Sequence, residues 1–442
     1  MALRRIPGKS QSYHLIAYDG KGREQRDDDG SVASDLALEA VRAPGVTDVF
    51  VLSHGWQGDY VDAISQYDRW VGAGDPDQAG DGIHPLVIGL HWPSKAWSDR
   101  ELTGGPSGLL GDEPEQDAVT VDAAVAEFAD RLGDDPQTRD ALHTVLSYAA
   151  SIPSDQDATE ADALPGDVAD AYQVLLARLG ATGDDGGLLG GGWDPDAVFA
   201  EGLQVEADDG LLGDGFFARL REAVLRPLRQ LTFWSGKNHA REFGEGAAAT
   251  LVRRIQDAAP VRVHLMGHSF GTIVMSGAVR GAHATPPPRP IDSLFLVQGA
   301  VSLWAYAESV PPDIGGGRGY FADVVRPEFV SGPIVVTRSK WDYAVGRFYP
   351  LAVRVAGQYL LGDEPPKFGG IGTFGAEAVP GAVELPALRA GAFEDPGLEA
   401  GTLYNLDASA VIAKLDGASG AHNDIGHPEL TWLAWHAARA GR

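Results

Sequence analysis

Residues 261–275 read Val-Arg-Val-His-Leu-Met-Gly-His-Ser-Phe-Gly-Thr-Ile-Val-Met, and this stretch decides how the rest of the chain is read. Val261, Val263 and Leu265 alternate as a strand requires, and residues 272–284 carry enough helix formers to continue as a helix. Between the two, Ser269 stands in a Gly-x-Ser-x-Gly pentad, with Gly267 and Gly271 two residues to either side. A serine on a sharp strand-to-helix turn presents its hydroxyl at the strand end, and flanking glycines let backbone and helix come close. Ser269 is the candidate nucleophile.

Outward from this turn, short apolar runs recur at 13–18, 48–53, 86–90, 293–298, 333–337 and 402–406. Helical stretches separate several of them, the first at 32–41. Such runs predict an α/β protein with a mostly parallel, doubly wound sheet whose strands are buried on both faces. Between Ser94 and Arg241 the pattern changes. Residues 101–214 hold 26 acidic against 3 basic side chains, which predicts a large acidic insertion before the strand that leads into Ser269. Helical spacing at 119–132, 138–151 and 167–179 makes it mainly helical, with 183–192 as a glycine-rich link. Residues 216–242 reverse the sign, with six basic against two acidic residues. They predict an amphipathic helix kinked at Pro227: either a lid or interface helix, or one packed on its own domain with its arginines toward the acidic insertion. Gly370, Gly372 and Gly375 match Gly-x-Gly-x-x-Gly, but Pro365 and Pro366 stand where a dinucleotide fold needs a strand, so they are read as a loop.

A serine hydroxyl needs an imidazole to take its proton, and a carboxylate to orient that imidazole. In the chain order serine, acid, histidine, each partner follows a strand. Asp342, after the run at 333–337, fits the acid, and Asp407, after 402–406, competes with it. His422 lies in a loop before the last helical stretch at 429–438 and fits the base. His427 is the next choice, whereas His436 falls within that helix. Asp424 is assigned to the loop backbone. The oxyanion needs donors: the amide of Phe270, directly after the nucleophile, and that of Trp56, or of Gly55, in the Ser53-His54-Gly55-Trp56 turn. His54, Gly55 and His268 are placed on the substrate side of the site, with His54 buttressing its loop.

Composition narrows the chemistry. The 442 residues, 35 basic and 62 acidic, carry a formal charge of −27, which argues against nucleic acid, anionic lipid or a polyanionic substrate as partner. No cysteine is present, so disulfides, thiolate catalysis and cysteine-ligated zinc are excluded. His264 and His268 do not share a helical face, and His422 and His427 lack a third ligand, so no metal or other cofactor is expected. The first residues lack the apolar run of a secretion signal, and no segment is long and apolar enough to span a bilayer, so a soluble, cytoplasmic protein is expected.

Three motifs, Ser53-His54-Gly55-Trp56, Gly267-His268-Ser269-Phe270-Gly271 and Ala421-His422-Asn423-Asp424-Ile425, resemble those of α/β-hydrolase-fold serine hydrolases of the esterase and lipase kind. The resemblance covers about 1–98 and 236–442 as hydrolase core, leaving 99–235 as the acidic helical cap or insertion. Phe233-Trp234 with Arg241, and Val297-Gln298-Gly299-Ala300, also resemble a poorly characterised bacterial subgroup. The resemblance implies cofactor-free hydrolysis of a small-molecule ester or lipid through an acyl-enzyme: Ser269 attacks, His422 carries the proton and Asp342 orients it. The competing expectation is a catalytically silent scaffold on the same fold, recruiting a partner through its acidic insertion.

Overall fold

Runs of β-branched and apolar residues build a sheet that is buried along its middle. The computed structural model describes residues 3–27, 30–55, 60–74, 82–94, 121–152, 163–179, 194–208, 216–312, 316–348 and 369–441. Among them, nine strands run β1 (Leu3–Arg5), β2 (Ser12–Ala17), β3 (Asp48–Ser53), β4 (Pro85–His91), β5 (Arg262–His268), β6 (Ser293–Val297), β7 (Ile334–Arg338), β8 (Val383–Leu385) and β9 (Leu403–Asp407). Their order across the sheet is β1-β2-β4-β3-β5-β6-β7-β9-β8. Every pairing is parallel except that of β1 with β2. The fold is α/β with a mostly parallel sheet, and every run expected to be a strand is one, to within a few residues. The two edge strands β1 and β8 are additions. Each has three residues, too short to display a period of two.

Strand alternation assigns the two faces. Phe50, Leu52, Met266, Phe295, Val297, Val335 and Leu406 share one core with the helix Tyr60–Ala73 and the last helix, Pro428–Ala440. The intervening residues, among them Val51, Leu265 and Val336, are equally buried and point to the opposite face. The helix Gly271–Arg280 packs on β3, β5 and β6, and Ala249–Ala258 packs beside it. The chain steps from β3 to β4 on one side and then crosses to β5 on the other. The carboxyl ends of β3 and β5, where the strand order reverses, are the position at which open parallel sheets bind ligands. Ser53 pairs with Gly267 there, one residue before the β3 loop and two before Ser269.

At the opposite end of the same two strands, Asp48 is fully buried. Arg262 grips its two carboxylate oxygens at 2.7 Å each, His264 Nε2 lies 3.0 Å away and Thr47 donates its hydroxyl. Burial pushes this carboxyl up, but the hydrogen bonds from His264, Arg262 and Thr47 outweigh it and hold the group far below the usual range.

The described residues divide into two units: those up to 94 and from 239 on form the first, and those from 121 to 238 the second. In the second unit, the helices Val121–Leu132, Pro136–Ser151, Gly166–Arg178 and Pro195–Asp208 pack in sequence. Asp135 caps one of them, accepting from the amides of Gln137 and Thr138 with Pro136 in the first turn. The helix at 195–208 was not expected, and the glycine-rich link at 183–192 lies outside the described residues. The basic segment forms one helix, Phe216–Phe243, which continues through Pro227 and passes into a π-helical turn at Gly244–Ala248. Its residues Leu220, Val224, Leu225, Leu228 and Leu231 are buried as an apolar stripe.

Candidate active site

The site is built on the turn after β5. Ser269 has φ 55°, a left-handed conformation that non-glycine residues rarely adopt. Its neighbours explain how the turn closes. A Cβ on Gly267 would lie 2.2 Å from the Gly271 carbonyl oxygen, and one on Gly271 would lie 2.4 Å from that of Ser53. Only glycine fits either position. The turn is tied down by the Ser269 amide, which donates to the Val297 carbonyl at 3.2 Å, and by the Ser269 carbonyl, which accepts from Ala300 and from the Thr272 hydroxyl. Ser269 is thus fixed to the ends of β5 and β6.

Asp342 and His422 reach the same point from later loops. Asp342 follows β7 and pairs across a bridge with Gly420, while the Ala421 amide donates to the Trp341 carbonyl at 2.7 Å. A Cβ at Gly420 would meet that carbonyl at 2.2 Å, so the close approach of the two loops requires glycine. His422 Nδ1 lies 2.8 Å from Asp342 Oδ2, and His422 Nε2 lies 2.8 Å from Ser269 Oγ. Because the carboxylate accepts, Nδ1 carries the proton and Nε2 presents its lone pair to the serine hydroxyl. All three side chains are buried, Ser269 at 3%, Asp342 at 1% and His422 at 7% exposure. The structure brings Ser269, Asp342 and His422 together and leaves their competitors elsewhere. Asp407 accepts from the Ser409 amide, His427 pairs with Asp424, and His436 lies beside Asp395. Asp424 also accepts from the amides of Ala413 and Lys414, holding the histidine loop.

The two further histidines, His54 and His268, are also buried. His268 donates from Nε2 to the His422 carbonyl at 2.9 Å, and Trp70 Nε1 donates to the Ile425 carbonyl, so both hold the loop that carries the base. Burial, with His422 alongside, pushes the His268 imidazole well below its ordinary range. His54 donates from Nδ1 to the Gly55 carbonyl at 2.9 Å and accepts at Nε2 from the Trp92 amide at 3.3 Å. Burial and the neighbouring His91 push His54 down to about 3, so it is neutral. His54 Nδ1 also lies 3.5 Å from the Ser94 hydroxyl. Gly55 faces Ser269: a Cβ there would lie 2.6 Å from Ser269 Cβ.

Phe270 is fully buried at the start of the helix Gly271–Arg280, where its amide follows the nucleophile. Trp56, the expected second oxyanion donor, lies outside the described residues. Three contributors were not read from the sequence. Tyr67, from the helix Tyr60–Ala73, donates its hydroxyl to the Leu90 carbonyl at 2.5 Å and accepts from the His54 amide at 2.8 Å, locking the ends of β3 and β4 together. Gln298 touches Asp342. Gly372, read as part of a loop, caps that contact within the short helix Ile371–Phe374, whose Gly375 has φ 89°. The sequence signals that touched them, the glycine spacing at 370–375 and the Val297-Gln298-Gly299-Ala300 motif, assigned no contact to any of them.

A separate cavity of about 520 Å³, lined by residues including Tyr18, Lys21, Glu242 and Arg254, shares no residue with this triad. No group of three or more metal-ligating side chains occurs among the described residues, and no helix among them is long and apolar enough to cross a membrane. In comparison with known proteins, the chain matches no family model, no curated protein and no solved structure.

Proposed function

We propose that this protein is an α/β-hydrolase-fold serine hydrolase that cleaves a carboxylic ester of a small molecule or lipid through an acyl-enzyme. One observation carries the reading: Ser269 Oγ, His422 and Asp342 form an unbroken hydrogen-bonded line of two 2.8 Å contacts, with the serine on a strained turn. Ser269 Oγ attacks the carbonyl carbon as its proton passes to His422 Nε2. The resulting imidazolium keeps Nδ1–H on Asp342 Oδ2, and the Phe270 amide is one donor to the oxyanion. The tetrahedral intermediate collapses, His422 returns the proton to the departing alkoxide, and Ser269 is left acylated. Water then attacks the acyl carbon, its proton going to His422, and a second collapse frees the acid and restores the Ser269 hydroxyl.

A chromogenic ester panel of graded acyl length tests this directly. Wild type hydrolyses at least one member, and Ser269→Ala lowers kcat on the order of 10⁶-fold. Activity that survives the substitution contradicts the assignment, whereas activity confined to one chain length identifies the acyl group.

A further inference from the structure

Gln298, the residue after β6, is fully buried and has φ 45°, the left-handed region that a side chain with a Cβ rarely enters. A residue that merely filled space behind a strand would have no need of that conformation, and strained backbone at a crowded site points toward a role there. Every polar atom that the side chain owns is committed. Oε1 accepts from the Thr337 hydroxyl at 3.1 Å, and Nε2 donates to the Gly372 carbonyl at 3.0 Å and to Asp342 Oδ2 at 3.0 Å. That oxygen is the one that faces His422 Nδ1. The other carboxylate oxygen, Oδ1, accepts from the Val345 amide at 3.3 Å.

The carboxamide can stand only one way round. The Thr337 hydroxyl accepts from the backbone N–H of Gln298 at 3.1 Å and turns its own proton to Oε1. A flipped amide sets Oε1 against Asp342 Oδ2 and the Gly372 carbonyl, three acceptors with no proton among them. Gly372 completes the fit, since a Cβ there would lie 2.7 Å from the Gln298 carbonyl carbon and 3.0 Å from Asp342 Oδ2.

We propose that Gln298 is a positioning residue for the Asp342–His422 pair: its carboxamide, oriented by Thr337, fixes the carboxylate oxygen that holds the imidazole in register with Ser269. The inference rests on the hydrolase reading. It predicts that loss of the amide donor lets the carboxylate rotate, so that the imidazole spends less time aligned and turnover falls while ester affinity does not.

The test uses the full-length protein, p-nitrophenyl acetate hydrolysis and titration of competent serines with a fluorophosphonate, so that kcat is expressed per labelled Ser269. Gln298→Met, of similar shape and without a donor, lowers kcat about 10–100-fold with little change in KM, and Thr337→Val, which frees the amide to flip, lowers it less. Gln298→Glu gives the signature that a merely structural role lacks. Among the described residues, His422 is the only ionisable side chain hydrogen-bonded to the Asp342 carboxylate. A second carboxyl beside it shares a proton, which replaces the lost donor at low pH and is released as pH rises. Gln298→Glu therefore keeps activity only below the pH at which that proton is lost, and acquires a falling alkaline limb in kcat that wild type lacks. Variants that keep wild-type kcat per labelled serine and the wild-type pH profile, with only the melting temperature lowered, overturn the proposal. If Gln298→Met fails to fold, Thr337→Val and Gln298→Glu decide it. An unlabelled wild-type Ser269 removes the hydrolase reading itself, whereas a labelled wild type with indifferent variants removes this inference alone.

Discussion

Ser269, His54 and His268 each keep an arrangement that an isolated residue would avoid: a left-handed serine and two buried imidazoles. The serine conformation costs about 1–2 kcal/mol, which the ties to Val297 and Ala300 offset. The buried imidazoles make stability depend on pH, and the sign follows from linkage. An unfolded histidine titrates near about 6.5, but burial and His91 push His54 down to about 3 in the folded protein. The unfolded chain therefore binds more protons throughout that window. The contribution of His54 is complete above the unfolded value and is lost as pH falls toward the folded one, at up to about 1.4 kcal/mol per pH unit. His268, shifted in the same direction, adds to the trend. Urea unfolding of wild type thus shows a midpoint that drops between pH 6.5 and 4.5, and His54→Asn has a shallower dependence. Equal slopes contradict the assignment of His54 as a buried neutral brace.

At the scale of elements, the turn after β5 shows what the sequence carries and what it does not. The two glycines around Ser269 are legible because backbone oxygens crowd the Cβ positions of Gly267 and Gly271. Gly267→Ala therefore forces the turn apart. It destabilises the protein by about 1–3 kcal/mol in equilibrium unfolding and sharply reduces ester turnover; a variant with wild-type turnover contradicts the geometry described. The central strands are legible for a related reason, since a strand buried on both faces is a continuous apolar run. Other elements answer only to tertiary contacts. Ile371–Phe374 is four residues long and held by the Val301 and Gly299 carbonyls, so local pattern read it as a loop. The helix after Ser269 ends at Arg280, short of the expected 284, because Gly281 turns to φ 63°. The π-helical turn at Gly244–Ala248 follows from packing: a Cβ on Gly244 would lie 2.6 Å from the Val274 carbonyl oxygen. The contacts of Gln298, quoted only within Val297-Gln298-Gly299-Ala300, and of Tyr67 were not legible because their partners are distant in sequence.

Over the whole molecule, two features bear on substrate. The residues that form the hydrogen-bonded triad belong to one unit, and strand order alone brings them to one rim: the elbow follows β5 and the acid follows β7, both at carboxyl ends. The formal charge of −27 over the whole chain disfavours the long-range approach of anions. In the ester panel, a neutral substrate therefore exceeds an anionic one of equal length in kcat/KM at low ionic strength, and the gap narrows as salt approaches the roughly 0.15 M at which the Debye length is about 8 Å. The chain order of Ser269, Asp342 and His422 was legible because it is a property of the chain; the contact of Gln298 with Asp342 was not, because it exists only once β6 and β7 lie side by side. The most direct measurement is intact-protein and peptide mass spectrometry after brief exposure to a neutral fluorophosphonate. The account predicts one phosphonyl adduct on Ser269 in wild type, none in Ser269→Ala and much slower labelling in His422→Ala. An adduct on another residue, or a wild-type Ser269 that stays unmodified while the protein is folded, contradicts it.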